Sequence, residues 1–293
     1  MGAVRAPFAR RDTDVSMLSG LSAWLRKHLP QRTKVWFWFV TDSTWRRRYV
    51  AQQRLIRDRK RARRRAIGLI STQTAGIVAS GPFKGMRYVP SWNGTDFTQK
   101  LLGTYELELN NVIEEVCNGR YRNVVDIGAG EGYYACGLTW RMPGIHMKAF
   151  EMSHEWHAAI GQIAIENGVA DRLTILGACT VDALRRELGS EGGCLVVCDV
   201  DGAEFELMDP AALPGLRHAD LLVEVHDGII PGVSQTLIDR FEETHIVEFI
   251  NQVPRRPADV PAGIGLDGEL ALKAMDEGRG EGNDWLWMRH RTN

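Results

Sequence analysis

A chain of 293 residues with 44% hydrophobic side chains has apolar material for a large core, which excludes a disordered tail or a disulfide-stapled miniature protein. Its 36 Lys and Arg nearly balance 37 Asp and Glu, yet 18 of the basic residues and only four of the acids fall in the first 66 positions, so a basic head precedes an acidic body. Five cysteines with no Cys-x-x-Cys pair exclude a zinc ribbon, and no apolar run reaches the roughly 20 residues of a membrane span; a cytoplasmic protein with reduced thiols is expected, with peripheral membrane association left open.

In the head, Val15, Leu18, Leu21, Leu25 and Leu29 recur at three- and four-residue spacing before Pro30, which predicts an amphipathic helix. After the aromatic cluster Trp36, Phe37 and Trp38, eleven Lys or Arg crowd the stretch between Arg46 and Arg65, with Asp58 as the lone acid. Such a run suits RNA or an anionic membrane surface, or else a solvated helix or one lying against an acidic protein face, and basic-plus-aromatic composition does not choose among them. Turn residues Gly81-Pro82, Gly85, Pro90-Ser91 and Asn93-Gly94 then break short extended pieces, which predicts a small hairpin or lid. The expected organisation is a basic helical extension over 1–70, a β lead-in or lid over 71–100 and the main domain over 101–293.

A helix is expected over 101–116. Strands are expected near 123–127, 146–151, 173–176, 195–199, 221–225, 246–250 and, after a glycine- and charge-rich stretch, 284–288, with helices between the first six. Short apolar runs separated by helices predict a mostly parallel sheet covered on both faces.

The first of these strands runs into Val124-Val-Asp-Ile-Gly-Ala-Gly-Glu-Gly132. A strand, a glycine turn and a helix start form a nucleotide cradle, because glycine lets backbone approach a ligand and the helix start offers unpaired N–H groups. A dinucleotide fingerprint would read Gly-x-Gly-x-x-Gly. Here Gly128, Gly130 and Gly132 lie two apart behind Asp126, a spacing better suited to a sulfonium-bearing nucleoside with a zwitterionic amino acid. Glu151, at the end of the next strand, is placed to accept both hydroxyls of a ribose in either cofactor class; otherwise it is an exposed strand-end acid. Asp199 emerges at the carboxyl end of a later strand, the edge at which open sheets bind ligands, and Asp201, Gly202 and Glu204 build the turn that follows. Glu224 and His226 end the next strand, on one face by alternation, and a histidine among acids at that edge is a candidate for proton transfer.

Taken in order, Asp126-Ile-Gly-Ala-Gly-Glu-Gly132, Phe150-Glu151, Asp199-Val-Asp-Gly-Ala-Glu204 and Glu224-Val-His226 resemble the FkbM-type S-adenosylmethionine-dependent methyltransferases of the class I fold. Gly81-Pro-Phe-Lys-Gly-Met86 and Leu102-Gly-Thr-Tyr-Glu106 also resemble a lead-in of bacterial relatives. Two positions depart from the pattern: Asp201 stands where Glu is usual, and Glu131 where Asn is usual. The resemblance implies an α/β, Rossmann-like, mostly parallel seven-stranded sheet with helices on both faces, and says nothing of the basic N-terminal extension. It implies S-adenosylmethionine held by Asp126, Gly128, Gly130, Gly132, Glu151 and Asp199, and methyl transfer to a hydroxyl of a small molecule, sugar or glycan. Asp199 and His226 are the candidate bases, while Glu204 and Glu224 hold the acceptor or fix the turn. No metal is assigned; a divalent cation gathered by Asp199, Glu204, Glu224 and His226 is the alternative way to activate a hydroxyl. The rival readings are an RNA methyltransferase guided by the basic head and a non-catalytic nucleotide-binding scaffold.

Overall fold

Apolar runs of four to eight residues, flanked by turn residues and separated by helical patterns, bury both their faces only between two layers of helices. The computed structural model describes residues 43–88, 97–188, 193–279 and 283–291. Among the described residues the helices α1 (Ser43–Thr74), α2 (Phe97–Leu102) and α3 (Asn110–Asn118) precede the first strand, β1 (Asn123–Ile127). There follow α4 (Tyr133–Arg141), β2 (His146–Phe150), α5 (His154–Glu166), β3 (Leu173–Leu176), α6 (Val181–Glu187), β4 (Cys194–Cys198) and α7 (Glu204–Leu207). The described chain closes with β5 (Ala219–His226), α8 (Val233–Phe241), β6 (His245–Ile250), α9 (Gly268–Met275) and β7 (Asn283–His290).

The strands form one sheet in the order β3-β2-β1-β4-β5-β7-β6. Neighbours from β3 through β5 are parallel, whereas β7 runs antiparallel to both β5 and β6. This is the Rossmann-like, mostly parallel seven-stranded arrangement expected. Alternation divides the core between the two faces: Val124, Leu195, Leu222, Trp285 and Trp287 pack on one side, and Val125, Ile127, Val196, Val223 and Leu286 on the other. Because β1 lies between β2 and β4, with Ile127 paired to both Phe150 and Cys198, the carboxyl ends of β1, β2 and β4 meet at one edge. The fifth strand is longer than its apolar run suggests, since pairing with β7 carries it to His226, opposite Asn283.

The chain divides into two compact units, Met1–Arg61 and Ala62–Asn293. The basic residues between Arg46 and Arg65 lie on α1, while the predicted helix from Val15 to Leu29 and the cluster at Trp36 fall outside the described residues. Among the described residues no helix is long and apolar enough to cross a membrane.

One expectation is corrected. The helix over 101–116 is broken: α2 stops at Leu102, a 3-10 turn follows at Leu107–Leu109, and α3 begins at Asn110. The cause is local, for Gly103 adopts φ +75° and a Cβ there would stand 1.9 Å from the Ser80 carbonyl oxygen, while Glu106 adopts φ +45°. In the stretch where a hairpin or lid is expected, helix α1 continues to Thr74 and, among the described residues, one antiparallel bridge, Ile77 with Arg87, ties the turn beyond it.

Phe83 of that turn packs edge-on against Tyr133, with ring centroids 5.2 Å apart, and lies over Gly137 of α4. Replacing a helix glycine by alanine ordinarily gains up to about 1 kcal/mol. Here the added Cβ would meet the Phe83 ring at 2.7 Å, and overpacking of this kind costs about 1–3 kcal/mol. Gly137→Ala is therefore expected to lower the midpoint of urea unfolding; a raised midpoint would show that helix propensity outweighs the overlap.

Candidate functional site

The loop after β1 is held from both sides. Gly128 and Ala129 donate their N–H groups to the Phe150 carbonyl at 2.9 and 3.0 Å, and Asp199 donates its own to the Ile127 carbonyl at 2.9 Å. Gly128, at φ +84°, passes so near β4 that a Cβ would stand 1.8 Å from the Asp199 carbonyl oxygen. Gly130 is a different case. Its N–H donates to Glu151 Oε2 at 2.9 Å, and a Cβ there would enter open space. Gly132 caps the start of α4 with Ile160 and Cys136 against it. Glu131, a departure from the family pattern, accepts from Lys100 Nζ and from Tyr88 Oη at 2.6 Å. Burial would raise its pKa, but the Lys100 charge and these hydrogen bonds outweigh burial and hold it below the usual glutamate value. The residue thereby ties the glycine loop to the start of the domain.

A cavity of about 550 Å³ opens at the carboxyl ends of β1, β2, β4 and β5, bordered by Gly128, Gly130, Glu151, Asp199, Glu224 and His226. Glu151 is fixed there, its Oε1 accepting from the Ser153 N–H at 2.7 Å while Oε2 takes that of Gly130. Asp126 and Gly132, both expected against a cofactor, do not border the cavity. Asp126 lies buried, and its Oδ2 has no hydrogen-bond partner among the described residues. Burial first, then the charge of Asp199, push its carboxyl up to about 7, against a hydrogen bond from the Ala135 backbone.

His226 closes the opposite wall and is 1% exposed. Its Nδ1 lies 3.1 Å from Glu204 Oε1, which also accepts the His226 N–H at 3.1 Å. Glu204 Oε2 takes the Gly202 N–H at 2.7 Å. The Asp201-Gly202 turn that permits this has positive φ at both residues, +47° and +108°. Glu204 is thus wholly buried and does not border the cavity, so it fixes the turn and the imidazole rather than meeting an acceptor. On the other side of the ring, Nε2 has Asp201 Oδ1 and Glu224 Oε2 at 3.4 Å and Asp199 Oδ1 at 3.8 Å. Burial alone would lower the pKa of His226; the Glu204 hydrogen bond and the charges of Glu204, Asp199 and Asp201 outweigh it and raise the pKa above that of an ordinary histidine. Asp199 is raised chiefly by burial, with His226, Arg279 and Lys100 pulling the other way.

No protein-family model matches the chain, and no curated protein does. Among solved structures it is similar to a precorrin-6y C5,15-methyltransferase from Geobacter metallireducens, at 14% identity over 47% of this chain and 71% of that one, with a TM-score of 0.38. It is similar also to the O-methyltransferase TomG from Streptomyces achromogenes, solved with S-adenosylmethionine, at 15% identity over 56% and 86% and a TM-score of 0.40. A third is an S-adenosylmethionine-dependent methyltransferase from Geobacter sulfurreducens, solved with S-adenosylhomocysteine, at 18% identity over 50% and 67% and a TM-score of 0.36. These likenesses assign nothing to the residues of this cavity.

Sequence reasoning missed the wall formed by Tyr105, Glu106, Glu277 and Arg279. Arg279 pairs with Glu224 Oε1, with Glu106 Oε1 at 3.3 Å and with Glu108 Oε1 at 3.2 Å. Burial drives Glu106 up to about 8 despite Arg279, and Glu277 up to about 7 despite Arg255. Glu106 was visible as the last residue of Leu102-Gly-Thr-Tyr-Glu106. Glu277 and Arg279 stand in a glycine- and charge-rich stretch that carries no periodic signal.

Because the folded-state pKa of Asp126 is raised from 3.8 to about 7, the native chain binds that proton more tightly than the unfolded one. The resulting stabilisation is complete below pH 3.8 and is lost as pH rises through 7. Asp126→Asn stays neutral throughout, so between pH 4 and 8 the wild type is expected to lose about 2–4 kcal/mol relative to the variant. Urea unfolding at a series of pH values measures the difference; parallel curves would contradict it.

Proposed function

We propose that the chain is an S-adenosylmethionine-dependent methyltransferase of the FkbM type, acting on a hydroxyl oxygen of a small molecule, sugar or glycan. One observation carries the reading: the glycine loop, Glu151 and the Asp199–His226 pair border the same cavity. The donor fits the residues present. Gly130 leaves open the space that any side chain would fill, and each Glu151 oxygen has one backbone N–H and further lone pairs for ribose hydroxyls. Gly128, Gly130, Glu151 and Asp199 would hold the nucleoside, and the bound donor supplies a sulfonium-activated methyl group.

The chain itself supplies alignment and proton removal. Fixed positioning of reactants is worth roughly 7–11 kcal/mol of barrier, and the rigid seat of Glu151 on two backbone N–H groups is a device of that kind. Asp199 and His226 face the hydroxyl from β4 and β5, and removal of its proton there contributes about 10²–10⁴ in rate. Glu204 works through His226, setting which ring nitrogen points inward. Glu224 is held by Arg279 on the same wall, where it orients the acceptor.

Calorimetric titration is expected to show binding of S-adenosylmethionine and S-adenosylhomocysteine and none of NAD; binding of NAD alone would overturn the reading. Glu151→Ala removes a charged acceptor for ribose hydroxyls, a loss of roughly 1.5–3 kcal/mol, and so weakens donor binding about 10- to 100-fold. Asp199→Asn lowers transfer of labelled methyl to lysate acceptors about 10²- to 10⁴-fold. Full transfer by this variant would remove Asp199 from the chemistry.

A further inference from the structure

In its neutral form His226 presents a chemical problem that its neighbours do not solve. The side chain is 1% exposed, and its Nε2 has no hydrogen-bond partner among the described residues, although three carboxylate oxygens lie within 3.8 Å. An unpaired buried nitrogen is costly, and a nitrogen lone pair facing carboxylates is repelled as well. The other ring nitrogen is already committed. Nδ1 bonds Glu204 Oε1, and Glu204 is anchored by the backbone N–H groups of Gly202 and His226. A buried carboxylate accepting from Nδ1–H leaves the lone pair on Nε2. This carboxylate–imidazole arrangement is the one that orients histidine toward a metal ion.

The atoms Nε2 faces have the matching character. One oxygen each of Asp199 and Glu224, together with the His226 nitrogen, lie within 4.8 Å of one another. Bonds of roughly 2.0–2.3 Å from a shared cation put such atoms about 3–4.5 Å apart. Glu224 is oriented for this, since Arg279 takes Oε1 and leaves Oε2 toward the imidazole. Three protein ligands from two adjacent strands leave further coordination positions for solvent or a substrate oxygen, as catalytic metal sites do.

We propose that Asp199, Glu224 and His226 bind a divalent transition-metal cation, with Glu204 as the positioning residue behind the imidazole. One nitrogen and two hard oxygens suit Mn²⁺, Fe²⁺ or Zn²⁺. Binding stands on this geometry alone, whereas its use in catalysis rests on the methyltransferase reading. In that setting an acceptor hydroxyl seated on the cation loses its proton to solvent more readily. The oxygen then forms its bond to the methyl carbon, and the electron pair of the broken carbon–sulfur bond stays on the departing thioether. The proposal replaces the base roles given above to Asp199 and His226 with ligand roles, leaving proton removal to the cation and solvent.

The test uses the untagged full chain, stripped with a chelator and titrated with Mn²⁺ alone while the free-ion electron paramagnetic resonance signal is followed. Mn²⁺ is chosen because it binds exposed imidazoles weakly compared with later metals. One Mn²⁺ per chain is expected, with the nitrogen modulation of a coordinated imidazole in the spin-echo spectrum of the wild type. His226→Ala and Glu224→Gln each weaken binding at least about tenfold, and Glu204→Gln weakens it by about 10- to 100-fold. No binding at about 1 mM Mn²⁺ or Zn²⁺ overturns the site. So does Mn²⁺ bound without nitrogen modulation, a wild-type measurement that does not depend on the variants folding. Titrating S-adenosylmethionine into the same samples separates the two readings: donor binding without Mn²⁺ overturns the metal site, and Mn²⁺ without donor binding supports it while overturning the methyltransferase.

Discussion

At Gly128 the loop leaving β1 runs so close to the Asp199 carbonyl that the position has no room for a side chain. That approach joins the tips of β1 and β4, and almost everything in the site follows from it. With Asp199 donating to the Ile127 carbonyl and the loop hung on Phe150, three strand ends are locked edge to edge. Glu151 then lies within hydrogen-bond reach of Gly130, and Asp199 comes opposite His226. A glycine chosen for close packing thus fixes the distance between the side of the cavity that holds Glu151 and the side that holds His226.

Charge is the second organising theme. Glu106, Glu151, Asp199, Asp201, Glu224 and Glu277 all border one cavity, with the Arg279 guanidinium and the His226 imidazole among them. Arg279 reaches Glu106, Glu108 and Glu224, and Arg255 reaches Glu108 and Glu277, so two guanidinium groups hold four buried carboxylates. Burial nevertheless keeps Glu106 and Glu277 well above ordinary glutamate values. Breaking a buried pair leaves an uncompensated charge and is strongly destabilising, which makes these arginines part of the architecture as well as of the electrostatics.

The strands were legible because periodicity and flanking turns report burial directly, and the glycine loop because close backbone approach leaves few alternatives to glycine. Glu151 and Asp199 were readable from their place at strand ends. Glu204 was harder: a polar residue after an acidic turn reads as facing the ligand edge, yet positive φ at Asp201 and Gly202 folds it under His226. Asp126 is acidic and adjacent to the loop, but position in sequence does not reveal that its side chain is buried away from the cavity. The break at Gly103 depends on a contact with Ser80 that no helical pattern encodes. Glu277 and Arg279 come to the site only through long-range ion pairs, which leave no local trace.

The antiparallel strand also sets a timetable. Among the described residues β6 pairs with β7 alone, and β5 borders β7 rather than β6. During synthesis β5 and β6 therefore emerge with a gap between them that only residues 283–290 fill, while Ile246 and Phe249 of β6 are exposed even in the finished fold. An unpaired strand edge of this kind invites association with other chains until its neighbour arrives. The same late strand pairs Asn283 with His226, so a ribosome stalled before position 283 holds a chain whose glycine loop is complete and whose opposing wall is unfinished.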